Sequence, residues 1–99
     1  MKKVPLIGNA YKLIDEGCIP GAAFRNLEYA ETDTDFAPDL EYNLKMIAFD
    51  AQTSGGLLFC SPHDKEDRIM TDLQEAGLPE AKIIGYVSEP DEKHIYLNR

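Results

Sequence analysis

The run Asp50-Ala51-Gln52-Thr53-Ser54-Gly55-Gly56-Leu57-Leu58 constrains this chain more than any other stretch. An acidic, amide-rich bend gives way to two glycines and then directly to apolar residues. Adjacent glycines permit positive φ and the close approach of a ligand or another backbone. Gln52, Thr53 and Ser54 bring donors and acceptors to the same bend. A bend of this kind either holds an anion on its backbone N–H groups or makes a tight helix-to-strand connection. The residues alone leave both readings open. It is not a phosphate-binding P-loop, because the lysine is absent and a strand rather than a helix is expected to follow.

The pattern on either side of the bend places it. Upstream, Pro38-Asp39 suits a helical first turn, and Leu40, Leu44 and Ile47 recur at i, i+4 and i+7 as one buried face. Asp50 to Gly56 then break that helix. Downstream, Leu57-Leu58-Phe59-Cys60 is continuously apolar, the pattern of a central strand covered on both faces.

Ser61-Pro62-His63-Asp64 next offers a capping serine, a proline at the first helical position and an early acid. Ile69, Met70, Leu73 and Ala76 supply the apolar stripe of this helix. Asp64 and Arg68 are spaced to pair, and Gly77 stops the helix. Residues 81 to 88 read as a strand through Ile83, Ile84, Tyr86 and Val87. Pro90-Asp91-Glu92-Lys93 is a turn, and His94 to Leu97 a last strand.

Nearer the start, residues 8 to 16 carry Ala10, Leu13 and Ile14 at helical spacing, with Gly17 as the stop. Cys18 to Ala23 read as a turn-rich connector around Pro20-Gly21, and Phe24 to Phe36 as an acidic surface excursion. The expected fold class is α+β: a small mixed or antiparallel sheet with helices packed on one face.

At 99 residues the chain makes one domain, with 43% hydrophobic and 28% charged residues. A formal net charge of −8 argues against nucleic acid and anionic membrane surfaces as partners. No apolar run approaches the length of a membrane span, and Met1-Lys2-Lys3-Val4-Pro5-Leu6-Ile7 lacks the apolar core of a secretion signal. A cytoplasmic location is the default expectation. Cys18 and Cys60 make neither a disulfide framework nor a metal-ligand spacing, and Cys60 is expected to pack as a small hydrophobe. Val4-Pro5-Leu6-Ile7 enters the first helix with no capping lead, and the elements give a thin core, so a piece of a larger protein is expected.

Several of these segments together resemble one family. Asp50 to Leu58 is similar to the Asp-Pro-Gln-Thr-Ser-Gly-Gly-Leu-Leu run of the C-terminal domain of selenophosphate synthetases, with Ala51 in place of the proline. Gly17-Cys18-Ile19-Pro20-Gly21-Ala22 followed by Arg25-Asn26 resembles that family's Pro-Gly-Gly and Arg-Asn segment. Lys82-Ile83-Ile84-Gly85-Tyr86-Val87, after the helix ending at Gly77, resembles its closing strand. The likeness spans roughly residues 4 to 88.

The resemblance implies an enzyme that transfers a phosphoryl group from ATP to selenide, releasing AMP and phosphate, with the fold of the aminoimidazole ribonucleotide synthetase superfamily. It implies ATP and Mg2+ for the whole enzyme and none for this chain alone. The catalytic Cys or selenocysteine, the catalytic lysine and most magnesium-binding aspartates belong to that family's N-terminal domain. The Thr-Asp-Val-Thr-Gly-Phe-Gly segment that opens its C-terminal domain would precede residue 4. Residues 1–99 are thereby expected to be the later portion of the C-terminal domain of a two-domain enzyme, inactive by itself. The implied partners are the N-terminal nucleotide-binding domain and a second subunit in a homodimer.

On this reading Gln52, Thr53, Ser54, Gly55 and Gly56 form an anion-binding turn facing the interdomain cleft, with no catalytic residue and no metal ligand in this chain. Asp50 is expected to support the turn by accepting its N–H groups, and Arg25 and Asn26 to support it from the neighbouring segment, Arg25 as a bidentate phosphate partner. The plain alternatives are a connection whose glycines only permit its geometry and an arginine on the surface. The acids Glu28, Glu31, Asp33, Asp35, Asp39 and Glu41 lack the glycine and final glutamate of a calcium loop and read as a solvated face. His63 and His94 read as surface residues that build no triad. Two rival functions remain on sequence grounds: a self-sufficient small-anion-binding module, and an oligomerisation piece.

Overall fold

The computed structural model describes Met1 and residues 3 to 98. Among the described residues four helices and two short strands follow one another: α1 (Ala10–Asp15), α2 (Gly21–Ala30), β1 (Thr34–Phe36), α3 (Tyr42–Ala48), α4 (Glu66–Glu75) and β2 (Ile95–Leu97). Short 3-10 turns at Glu31–Asp33 and His63–Lys65 lead into β1 and α4. The class is α+β, as the pattern of residues implied.

Glycines end two helices as expected. Gly17 and Gly77 both sit at φ 85°. Gly17 donates to Ile14 O and Cys18 to Leu13 O, both at 2.9 Å. Gly77 donates to Gln74 O at 3.1 Å and Leu78 to Leu73 O at 2.9 Å. These are paired Schellman bonds, which satisfy carbonyls that a helix end would otherwise orphan.

The core lies within residues 14 to 47. Met46 is fully buried, Ala23, Ile47 and Ile14 nearly so, and Ile19, Leu27 and Leu44 pack around them. Of the stripe expected in α1, Ile14 faces inward, whereas Leu13 is half exposed. α1 and α2 both pack on α3. Two polar links stitch α1 to α3: Tyr11 donates its hydroxyl to Glu41 Oε2 at 2.5 Å, and Asn43 donates to Asp15 Oδ1 at 2.9 Å.

Tyr11 therefore holds its proton above the usual tyrosine range, chiefly through the hydrogen bond to Glu41 and then through desolvation and the Glu41 charge. The folded chain binds this proton more tightly than the unfolded one. Its contribution to stability is intact below about pH 10, the unfolded value, and is lost as pH rises through the higher folded value. In an absorbance titration at alkaline pH, Glu41→Gln is expected to return Tyr11 toward its ordinary value. Tyr11→Phe should remove that transition altogether, and an unchanged Tyr11 titration in Glu41→Gln would contradict the assignment.

The structure corrects the sequence expectations at four places. The connector and surface excursion over residues 18 to 36 contain a full helix, α2, entered from Pro20 in extended geometry, with Ala23 donating to Pro20 O at 2.9 Å. They also contain β1. That strand pairs with β2 in parallel, not antiparallel, in the register Thr34–Ile95, Asp35–Tyr96 and Phe36–Leu97. Parallel pairing is open to it because the connection, residues 37 to 94, is far longer than a hairpin. The pair is extended by Ala37 N–H to Leu97 O and His94 N–H to Asp33 O, each 3.0 Å. Buried Thr34 is satisfied by donating to Ala30 O at 2.8 Å.

Second, the principal helix contacts are with other helices rather than with one face of a sheet. Third, residues 57 to 60 and 81 to 88 are not strands. A strand exists only through a neighbour's hydrogen bonds, and among the described residues no ladder forms along either segment. Leu57 is 95% and Val87 81% exposed, and Cys60 is exposed with them rather than packed. Fourth, Ser61 caps nothing: the turn before α4 starts at Pro62 without a side-chain cap, and Arg68 pairs with Asp72 instead of Asp64.

Candidate functional site

The turn at residues 50 to 56 begins where α3 ends. Phe49 closes the helix at φ −103° and ψ 7°, donating its N–H to Met46 O at 3.2 Å, while Asp50 donates to Ile47 O at the same distance. The chain then folds back on itself: Thr53 N–H reaches Ala51 O at 3.1 Å, and Gly55 N–H reaches Gln52 O at 3.0 Å. Among the described residues the N–H groups of Ala51, Gln52, Ser54 and Gly56 have no hydrogen-bond partner, and residues 51 to 56 are all exposed. Unsatisfied donors on one solvent-facing bend, those of Ser54 and Gly56 beside the tight Gly55 among them, are what an anion needs from a backbone.

The need for glycine here differs from the sequence reading. The positive φ belongs to Ser54, at 58°. Gly55 is required for space, since a Cβ on it would stand 2.9 Å from Gln52 O and 3.1 Å from Gln52 Cβ. Around Gly56 that added carbon meets nothing within 4 Å. The left-handed serine had no distinct signal in the sequence, although the short hydrogen-bonding side chain makes serine one of the residues found in such bends.

Of the three supporting residues, one side chain reaches the residue just before the turn. Asn26, on α2, donates its side-chain amide to Phe49 O at 2.9 Å. Arg25 is exposed on the same helix, its Nη1 lying 3.6 Å from where a Cβ on Gly21 would be, and it forms no hydrogen bond or ion pair among the described residues. Among the described residues the half-buried Asp50 accepts no hydrogen bond from the turn; its own N–H donates to Ile47 O. Phe49 was not singled out by sequence. Its ring stands 6.1 Å from that of Phe36, over which Lys45 Nζ sits at 3.8 Å.

Elsewhere, His63 Nδ1 lies 2.8 Å from Glu66 Oε2 at the start of α4, and His94 Nδ1 3.9 Å from Asp33 Oδ1 beside the strand pair. The acids between Glu28 and Glu41 are spread over α2, β1 and the approach to α3. Among the described residues no three His, Cys, Asp or Glu side chains gather as a metal site, and no helix is long and apolar enough to cross a membrane.

A helical core with an α+β frame and an exposed, glycine-containing bend defines a class of domain rather than one reaction. The profile of the AIR synthase related protein, C-terminal domain, matches residues 17–98, and the chain belongs to that family. Its relatives narrow the class. It is 41% identical over 92 residues to the selenide, water dikinase of Porphyromonas gingivalis strain W83, covering 92% of this chain and 26% of that protein. With the selenide, water dikinase of Clostridioides difficile strain 630 it shares 35% identity over 94 residues, 95% of this chain and 27% of the relative. The Agathobacter rectalis protein of the same name is 36% identical over 95 residues, 96% and 28% of the two chains. The chain thus spans about a quarter of the length of the curated relatives it matches. No solved structure matches it. The resemblance read from Asp50 to Leu58 and the comparisons agree on the selenophosphate synthetase C-terminal region.

Proposed function

We propose that this chain is the later part of the C-terminal domain of an ATP-dependent selenide, water dikinase, a phosphotransferase that makes selenophosphate from selenide. Within that enzyme the bend at Gln52 to Gly56 lines the cleft and presents the Ser54 and Gly56 N–H groups to a phosphate or selenium anion. Backbone donors held in place before the anion arrives stabilise it with little reorganisation. Arg25, exposed on α2, is the phosphate partner that the resemblance implies for this segment. The nucleophile, the catalytic lysine and the magnesium ligands belong to the N-terminal nucleotide domain, so the 99 residues alone turn over nothing. That domain also covers apolar side chains left in solvent here, such as Leu57, Leu58 and Val87. The parent enzyme is a cytoplasmic homodimer that binds neither nucleic acid nor membrane.

The observation that carries this reading is the set of unpartnered N–H groups on an exposed bend, Ser54 and Gly56 among them, in a chain 41% identical to a selenide, water dikinase. The test is a chimera of the P. gingivalis enzyme in which this chain replaces the segment it aligns with. Selenide-dependent ATP consumption is expected from the chimera and not from the 99 residues alone. A folded chimera without activity would refute the proposal.

A further inference from the structure

The exit from α3 is fixed at a single residue, and that residue is gripped from two sides. The ring of Phe49 rests against Phe36 at 6.1 Å, and its carbonyl oxygen accepts the Asn26 amide at 2.9 Å. That carbonyl is one of the last in the helix, where no intrahelical donor remains. Among the described residues no backbone N–H reaches it, so Asn26 is its partner. The direction in which the chain leaves for Asp50 follows from the plane of the Phe49–Asp50 peptide, which contains this oxygen. Asn26 itself is anchored, because its neighbours Ala23 and Leu27 on α2 face the core that α3 completes.

We propose that Asn26 is a positioning residue for the anion-binding turn: by holding Phe49 O it fixes the exit from α3, and so where the Ser54 and Gly56 N–H groups point. The inference rests on the reading of that turn as an anion site and adds how the site is held. Asn26 touches no ligand. Its effect passes through one peptide plane, and aspartate, equal in shape but without the donor, cannot replace it.

The test uses the full 99-residue chain, labelled for amide NMR and titrated with inorganic phosphate. Asn26→Ala and Asn26→Asp are compared with Asn43→Ala, which removes a similar helix-to-helix hydrogen bond, to Asp15, away from the turn. In the Asn26 variants the amide signals of Thr53 to Gly56 should shift and exchange faster, and phosphate should bind about five- to tenfold more weakly. Asn43→Ala should lower the melting temperature similarly and leave those signals and that affinity unchanged. Should Asn26→Ala not fold, Asn26→Ser, which keeps a shorter donor, takes its place and is expected to give an intermediate shift. Unchanged turn signals in the Asn26 variants, or equal changes in Asn43→Ala, would overturn the inference. If the wild-type chain ignores phosphate, the anion reading of the turn fails. The positioning role is then decided by the turn amides alone.

Discussion

Replacing Met46 by alanine is expected to remove a large share of this chain's stability. Met46 is fully buried on α3, surrounded by Ile14, Ala23 and Ile47 with Ile19, Leu27 and Leu44 around them. Truncating such a side chain removes its transfer free energy and leaves a cavity, about 2–5 kcal/mol together. A domain of this size has only about 5–15 kcal/mol in all, and one with so few buried apolar side chains belongs at the lower end. The melting temperature should fall by about 10–30 °C as followed by far-ultraviolet circular dichroism. Leu57→Ala, at a side chain 95% exposed, should leave it nearly unmoved. A Met46→Ala chain melting within a few degrees of wild type would show that the core lies elsewhere.

Gly55→Val in the chimeric enzyme is expected to reduce selenide-dependent ATP consumption by about 10²-fold, the scale on which a displacement near 1 Å acts on a reacting site. The first carbon of any side chain at residue 55 lands 2.9 Å from Gln52 O, a backbone atom that cannot swing aside. The bend must open, and the hydrogen bond from Gly55 N–H to Gln52 O, now 3.0 Å, opens with it. The strain is local, on the order of 1–3 kcal/mol, so the variant should stay folded. Normal activity in Gly55→Val would mean that the tight bend has no part in turnover.

Much of the fold was legible from residue types. Gly17 and Gly77 stop their helices through left-handed backbone that glycine alone adopts without cost, and the helical spacing in α1, α3 and α4 was read in nearly the right places. α2 was hidden because Pro20-Gly21 reads as a turn, and the acids that run on from Glu28 past its end mask Ala23, Leu27 and Ala30 at helical spacing. A proline just outside a helix is as much a start signal as a turn signal. β1 was illegible for another reason: its three residues owe their strand geometry to Ile95–Leu97, at the far end of the chain. The apolar runs 57–60 and 81–88 carry strand-forming side chains, but composition specifies no partner.

The site followed the same division. The bend and its two glycines were plain, since Gly-Gly after polar residues has few other uses. Which atom needed the space, and that Ser54 would take the positive φ, depends on how the bend closes. The contact from Asn26 to Phe49 O exists only because α2 packs on α3, and α2 was itself unseen.

The central claim is that these residues supply a scaffold and an anion-binding bend to an enzyme whose reactive groups lie in another domain. Its most direct test is selenide-dependent ATP consumption, measured side by side on the chimera and on the 99-residue chain. Turnover by the chimera with none from the lone chain is the expected result. Sustained turnover by the lone chain, or a folded chimera with none, would contradict it.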